Sequence, residues 1–206
     1  MALSPDYVTL EEFQAYLRID EDDDTDDDQL ELAITAASRA IDRSANRQFG
    51  LNGSAVARVY TPEWSRTLSR YVVEIDDLMT QTGLEVASST STEGTFDLAH
   101  TTYRLTPFNA PSDGRPWTKI LFAPGTSVNC GIGTVEVTGN WGWTAVPTTI
   151  QNATLIQASR FLKRRDSAFG IAGSPDLGNE LRLLDRIDPD VAVMISAYRR
   201  WWGASR

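Results

Sequence analysis

The 206-residue chain has only one cysteine, Cys130, and only one histidine, His100. A single cysteine excludes an internal disulfide and is typical of a reducing compartment. One cysteine and one histidine are also too few for a typical zinc site, because such sites usually need several ligands of these residue types. The first residues lack the basic and apolar regions of a secretory signal, and no apolar run reaches the length of a membrane-spanning helix.

The sequence also lacks the short motifs that mark common active sites. It has no Gly-x-Ser-x-Gly, no Walker loop, and no Gly-x-Gly-x-x-Gly between a strand and a helix. The adjacent carboxylates Asp76 and Asp77 are compatible with the acid/base chemistry of a hydrolase. Their predicted place at the end of a strand favours a capping or turn role instead. We therefore expect no enzyme activity and no cofactor.

Basic residues are scarce except near the C-terminal end. The net charge is −9, and residues 1–50 carry 13 acids and 4 bases, whereas residues 151–206 carry 6 acids and 9 bases. An acidic chain is a poor candidate for wrapping nucleic acid, because that affinity depends on cations that meet phosphates. The uneven distribution favours head-to-tail packing of identical copies.

Helical patterns occupy the two ends of the chain. Thr9 and Glu12 have the spacing of a capping box and begin a short helix that ends near Arg18. A longer helix is predicted from about Asp27 to Gln48. Its apolar face follows helical spacing and comprises Leu30, Ile34, Ala37, Ile41 and Ala45. A third helix is predicted from Pro147 to Arg165, and a last one over residues 188–202.

The middle of the chain is rich in β-prone runs. Polar turn residues separate seven of them, at 56–60, 71–75, 83–87, 95–98, 102–105, 118–122 and 134–138. Residues 134–138 alternate apolar and polar side chains, as in a strand with one solvated face. We predict an α+β fold: a helical bundle from residues 1–52 and 147–206, with a central β-rich insertion at 53–146.

An acidic run between the first two helices resembles a calcium-binding loop. Asp20, Asp22, Asp24, Asp26 and Asp28, with Glu31, fall at the ligand positions of an EF-hand. Thr25 replaces the glycine of its sharp turn, and Asp27 replaces its usual apolar residue. Asp27 or Asp28 also fits the N-cap and first turn of the second helix. We therefore predict a solvated loop, or one that faces a channel, rather than a metal site.

Two aromatic pairs are candidate binding groups. Trp141 and Trp143 have the chemistry to stack on a sugar or a base, although anchoring of the strand-to-helix crossing is the favoured interpretation. The terminal helix ends in Arg199, Arg200, Trp201 and Trp202, residue types enriched at interface hot spots. We predict that these four residues bind a partner. The alternative, that the tryptophans close the protein's own core, stays open.

Three segments resemble the head-to-tail adaptor, or connector, proteins of tailed bacteriophages. They are the first two helices (8–17 and 30–42), residues 139–150 leading to 158–167, and residues 186–190 with Tyr198, Arg199 and Arg200. Their order carries the resemblance, which covers the helical ends. The β-rich middle is similar to the longer forms found in phages of actinobacteria.

The resemblance implies a structural virion protein at the head-tail interface, made in the host cytoplasm. It implies a ring, usually of twelve copies, that lies under the portal protein and contacts a tail-side connector or stopper. DNA would pass through the ring without specific binding. The acidic run at 20–28 would then repel the passing genome. The alternative function classes are a calcium- or carbohydrate-binding module and a hydrolase.

Overall fold

The computed structural model describes residues 5–19, 26–90, 94–166, 171–172, 181–182 and 187–201. Its helices are α1 (Leu10–Leu17), α2 (Asp27–Ala45), α3 (Thr148–Asp166) and α4 (Pro189–Ser196), with a 3-10 turn at Pro111–Asp113. Its strands are β1 (Val56–Tyr60), β2 (Glu63–Ser65), β3 (Arg70–Leu78), β4 (Glu85–Ser88), β5 (Leu98–Ala99), β6 (Tyr103–Thr106), β7 (Trp117–Phe122), β8 (Val135–Gly139), β9 (Ile171–Ala172) and β10 (Leu181–Arg182). The predicted α+β class is confirmed.

The chain divides into two compact units. The helical unit combines Met1–Phe49 with Val146–Arg200, and the β unit combines Gly50–Ala145 with Trp201–Arg206. The helical unit is therefore built from two segments that are distant in sequence.

Local sequence signals set the ends of α1. The Thr9 side chain accepts a hydrogen bond from the Glu12 backbone N–H (3.2 Å), and the Glu12 carboxylate accepts one from the Thr9 N–H (2.9 Å). This reciprocal pair is the predicted capping box, which satisfies two N–H groups that the helix cannot. Arg18 ends the helix in the left-handed conformation.

The predicted apolar face of α2 forms the centre of the helical unit. All five of its residues are buried, namely Leu30, Ile34, Ala37, Ile41 and Ala45. The helix packs along α3, where Ala37 and Ala158 are both fully buried. Alanine at these positions allows the two helix backbones to approach closely.

Two antiparallel four-stranded sheets form the β unit. Their strand orders are β1-β8-β4-β5 and β2-β3-β7-β6. Only Thr61 and Pro62 separate β1 from β2, so one short stretch of chain contributes a strand to both sheets. Isolated bridges from Leu78 to Trp141 and Gly142 join the chain after β8 to the end of β3.

The core of the β unit lies between the two sheets. Val135 and Val137 of β8 point into it, whereas Glu136 and Thr138 are partly exposed, which confirms the predicted alternation. The other buried members come from both sheets and the connecting loops: Tyr60, Val73, Ile75, Leu78, Val86, Leu105, Ile120, Phe122, Val128 and Trp141.

The predicted final helix over 188–202 is too long, because α4 ends at Ser196. Tyr198 N–H bonds to the Ile195 carbonyl (2.8 Å), which tightens the last turn. The Arg200 N–H then bonds to the Ala45 carbonyl at the end of α2 (2.8 Å) rather than to its own helix. Arg199 and Arg200 therefore lie beyond α4 and not in its last turn.

Several other element bounds differ from the predictions. Asp26, rather than Asp27 or Asp28, occupies the N-cap of α2, and Asn46 in the left-handed conformation ends that helix before Gln48. Strand β2 was not predicted from the sequence. Strand β3 extends past Ile75 to Leu78, so Asp76 and Asp77 lie within it.

Candidate partner-binding site

The residues after α4 are fixed to the end of α2 by backbone contacts. Besides the Arg200 N–H bond to Ala45, the Asn46 side-chain amide donates to the Arg200 carbonyl (3.2 Å). The Tyr198 ring meets the Phe49 ring edge to face, with centroids 5.7 Å apart. These contacts connect the segment to the end of α2 and to Phe49 beyond the end of its own helix.

The predicted binding residues separate into buried and exposed groups. Arg200 is buried at 8% exposure, whereas Arg199 is exposed and Trp201 is 78% exposed. Trp202 lies outside the described residues. Trp201 thus follows directly on a residue that is anchored in the helical unit. A large exposed apolar side chain next to a hydrogen-bonded backbone is the arrangement of an interface anchor.

The start of α4 is fixed to α3 through Asp188. One carboxylate oxygen accepts from the Asp190 N–H as an N-cap (2.9 Å), and the other lies 2.6 Å from Arg160 Nη1. The Asp188 N–H donates to the buried Gln157 side chain (3.0 Å). Both ends of α4 are therefore held by longer helices.

A buried polar network lies beneath Phe49. The Tyr7 hydroxyl donates to Asp42 and accepts from the Phe49 N–H (2.9 Å), and Arg39 Nε lies 3.0 Å from Asp42. Burial, reinforced by the hydrogen bond to Asp42, raises the pKa of Tyr7. Burial also raises the pKa of Asp42, an effect that the Tyr7 and Arg39 contacts oppose. The network fixes Phe49, on which Tyr198 packs.

Only part of the acidic run can be placed. Asp20, Asp22 and Asp24 lie outside the described residues. Asp26 accepts from the Gln29 side chain (3.0 Å) at the N-cap of α2, and Asp28 is exposed in its first turn. Negative charge at both positions interacts favourably with the positive end of the helix dipole. The part of the chain that the structure describes contains no group of three or more potential metal ligands.

Trp141 and Trp143 are anchors of the β unit, because each is only 2% exposed. The Trp141 indole N–H donates to the Val56 carbonyl (2.7 Å), and that of Trp143 donates to the buried Asp77 carboxylate (2.9 Å). This burial leaves neither ring face available for stacking on a sugar. It agrees with the anchoring role that the sequence favours.

Gly142 allows the chain after β8 to approach the backbone of Gly50 closely. Its φ is +112°, and a methyl group on it would lie 1.7 Å from the Gly50 carbonyl oxygen. The Gly142 N–H donates to the Asp77 carbonyl (2.7 Å), and the Trp143 N–H donates to Gly50 (3.0 Å). No side chain fits at this position, which explains the glycine between the two tryptophans.

The candidate catalytic carboxylates have structural partners. Asp76 forms an ion pair with Arg58 (2.6 Å) and accepts from the Tyr60 hydroxyl (3.0 Å). Burial and the neighbouring Asp76 charge raise the pKa of Tyr60. The arrangement joins β1 of one sheet to β3 of the other.

The contact between Ser88 and His100 is not predicted from the sequence. Ser88 Oγ lies 2.7 Å from His100 Nε2, and the imidazole meets the edge of Phe122. Burial lowers the pKa of His100. Because Ser88 is only 1% exposed, the pair serves packing rather than attack on a substrate. The two residues come from β4 and from the turn after β5, so no local spacing marks them.

Within the described residues, no helix has both the length and the apolar character that a membrane crossing requires.

The fold and these contacts define a mixed α+β protein with an anchored segment that displays a tryptophan beyond its last helix. Residues 7–95 match the model of the family described as phage gp6-like head-tail connector protein. This match confirms the resemblance to head-to-tail connectors that the sequence indicates, and it extends from α1 through β4. The likeness to the long forms of actinobacterial phages stays a prediction. No curated protein sequence matches the chain.

Solved structures extend the likeness to the whole fold. A chain from the neck of an empty gene transfer agent (GTA) particle, computed with C6 symmetry, has a TM-score of 0.59 and 20% identity. A chain from the virion of a native GTA particle has a TM-score of 0.57 and 20% identity. Both alignments cover 100% of this chain and 97% of the other. At this identity they establish a common fold.

Proposed function

We propose that this chain is a structural subunit of the connector between the head and tail of a tailed phage or related particle. The observation that carries the proposal is the match of residues 7–95 to the head-tail connector family. The fold shared with neck and virion chains of GTA particles supports it over the full length. The family is structural, and we infer that this chain has no enzyme activity.

The connector is a ring of identical copies, which we infer to number twelve. It lies under the portal protein, contacts a tail-side connector or stopper, and leaves a central channel for the genome. The helical unit serves as the adaptor core, and the β unit is an insertion that widens the contact between subunits. The acidic run at residues 20–28 faces solvent or the channel, where it repels DNA.

The segment after α4 is the inferred contact with the portal or a neighbouring subunit. Trp201 offers a large exposed ring directly after the hydrogen-bonded Arg200, and Arg199 is exposed as well. Arg200 supports the contact indirectly, because its backbone fixes the segment to α2. Trp202 is included on its sequence position alone.

Electron microscopy of the full chain with portal-bearing heads tests the proposal. We expect class averages with an added ring of density on the portal axis, between head and tail. The same heads without the chain serve as the control. Unchanged heads after incubation, with the chain free in solution, would contradict a connector role.

A further inference from the structure

One sheet of the β unit has an acidic outer face, and the other has a groove lined by two arginines. Side chains that alternate away from the core define an acidic face on the sheet β1-β8-β4-β5: Ala57, Val59, Glu85, Ala87, Ala99, Glu136 and Thr138. The strand residues that the structure describes on this face include two carboxylates and no lysine or arginine. Its centre is small and apolar, with Val59 52% exposed.

The other sheet carries a basic groove on its outer face. The groove has a volume of about 350 Å³ and is lined by Arg70, Thr102, Arg104, Leu121 and Pro124, among others. Leu121 of β7 lies directly opposite Arg104 of β6 and Val72 of β3, which places these side chains on one face. An apolar floor lies between two guanidinium groups, and Glu63 of β2 lies opposite Val72 on the same outer face without lining the groove.

Local partners leave the charges of both surfaces available. Arg70 Nε donates to the Leu68 carbonyl (3.2 Å), a neutral acceptor. The adjacent Lys119 is already paired with Glu74 at 2.6 Å. Among residues placed by the structure, none forms an ion pair with Arg70, Arg104, Glu85 or Glu136.

We propose that the acidic face of one copy docks on the basic groove of the next, so that β units form a head-to-tail contact. The inference rests on the proposed ring. Because the two sheets pack against each other, their outer faces lie on opposite sides of the β unit. Two different surfaces on opposite sides are what a heterologous contact requires, and such contacts repeat into a ring when the rotation between copies closes.

A second copy suits the groove better than the phosphates of DNA. The acidic face supplies carboxylates for Arg70 and Arg104 and an apolar centre for the Leu121 floor. Ile132, 83% exposed, adds a further apolar side chain close to this face in sequence, since a Cβ on the following residue, Gly133, would lie 3.3 Å from Val59 Cγ1. A chain with a net charge of −9 also repels nucleic acid.

Charge reversal on each surface tests the contact in the full chain. The groove variant carries Arg70→Glu and Arg104→Glu, and the face variant carries Glu85→Arg and Glu136→Arg. Sedimentation velocity across a concentration series at low salt measures self-association. We expect each variant alone to associate at least about tenfold more weakly than the parent, because like charges then meet at every junction.

An equimolar mixture of the two variants gives the decisive result. The acidic groove of the first meets the basic face of the second, and the unchanged surfaces meet at the next junction. We therefore expect the mixture to recover the parent's assembly, with the two variants alternating around the ring. If each variant fails alone and the mixture also fails, the two surfaces do not contact each other and the proposal is overturned.

A matched control changes charges of the same types elsewhere on the β unit. Asp113→Arg with Arg115→Glu alters the exposed loop before β7, at the far end of the strand from the groove. Its self-association should equal that of the parent, and melting temperatures should show that all variants fold. A parent that stays monomeric, or variants that assemble normally, would overturn the inference.

The outcomes also separate this contact from the proposed function. Variants that still form rings on portal-bearing heads would refute the docking surfaces and leave the connector role intact. A parent that forms no ring on those heads would refute the connector role itself. Retention of duplex DNA by the parent, lost in the groove variant, would assign the groove to phosphate and overturn the proposal.

Discussion

Arg160 and Asp188 connect the last two helices of the described bundle through an ion pair of 2.6 Å. The two side chains are 14% and 22% exposed, so the pair is partly shielded from solvent. Asp188 also caps α4 with its other carboxylate oxygen (2.9 Å). A single residue thus begins α4 and fixes it to α3, which positions the segment that ends in Trp201.

Replacement of Asp188 should separate these two roles. Asp188→Ala removes the cap and the ion pair with Arg160, and we expect a loss of about 2 kcal/mol in the free energy of unfolding. Asp188→Asn keeps a capping acceptor and should lose about half as much. Urea unfolding followed by far-UV circular dichroism measures both. The control Asp190→Ala removes an exposed first-turn acid and should cost only a few tenths of a kcal/mol. Equal losses at both positions would contradict the role assigned to Asp188.

The Tyr7 hydroxyl should stabilise the helical unit. Tyr7→Phe leaves the buried Phe49 N–H and an Asp42 oxygen without this partner. Unsatisfied buried groups of this kind cost about 1–3 kcal/mol, and we expect a loss of that size in chemical unfolding. Tyr16→Phe, at a position that is 48% exposed, is the matched control. A Tyr7→Phe variant as stable as the Tyr16→Phe variant would show that the network adds nothing.

Gly142→Ala should disrupt the β unit far more than an alanine at another glycine with positive φ. Gly114 has φ of +65° and open space around it, so Gly114→Ala should cost only about 1–2 kcal/mol. At Gly142 the new methyl group would meet the Gly50 carbonyl oxygen at 1.7 Å. We expect Gly142→Ala to be at least about 3 kcal/mol less stable than the parent, measured by tryptophan fluorescence during unfolding. Similar losses for both variants would mean that conformation, and not space, selects the glycine.

The β unit should lose stability as the pH falls below about 6.5, the ordinary pKa of histidine. Burial lowers the pKa of His100 in the folded state, so the unfolded chain binds the proton first. Stability therefore rises with pH between the folded and unfolded pKa values and is fully present above the latter. Urea unfolding from pH 5 to 7.5 should show this slope, and His100→Gln should reduce it. An identical slope in the variant would assign the pH dependence to other groups.

Trp201→Ala should weaken attachment to portal-bearing heads without changing the stability of the free chain. The side chain is 78% exposed, so its truncation removes little buried apolar area, whereas a hot-spot tryptophan contributes about 2 kcal/mol or more to binding. Co-sedimentation with the heads measures attachment, and melting temperature measures stability. Val193→Ala, at an exposed position on α4, is the control. Normal attachment of Trp201→Ala would exclude this ring from the contact.

Local sequence patterns are enough to predict most of the fold. The helical spacing of Leu30 to Ala45 and the alternation in β8 each reflect one buried face, and both appear in the structure. The end of α4 was predicted wrongly, because it depends on a bond between Arg200 and Ala45, which are far apart in sequence. The Ser88–His100 contact could not be predicted for the same reason. Such pairings arise only when distant elements have packed.

The division of the helical unit between two distant segments affects how the chain folds during synthesis. Helix α2 ends at Ala45 and α3 begins at Thr148, so its packing partner emerges from the ribosome about 100 residues later. At ~5–20 residues per second, that interval lasts roughly 5–20 s. During it, the stripe that includes Ile34 and Ile41 has no α3 to cover it, and the continuous segment from β1 to β8 is completed before α3 appears. The nascent chain should therefore depend on chaperone protection of α2, and translation that slows before α3 should lower the yield of folded protein.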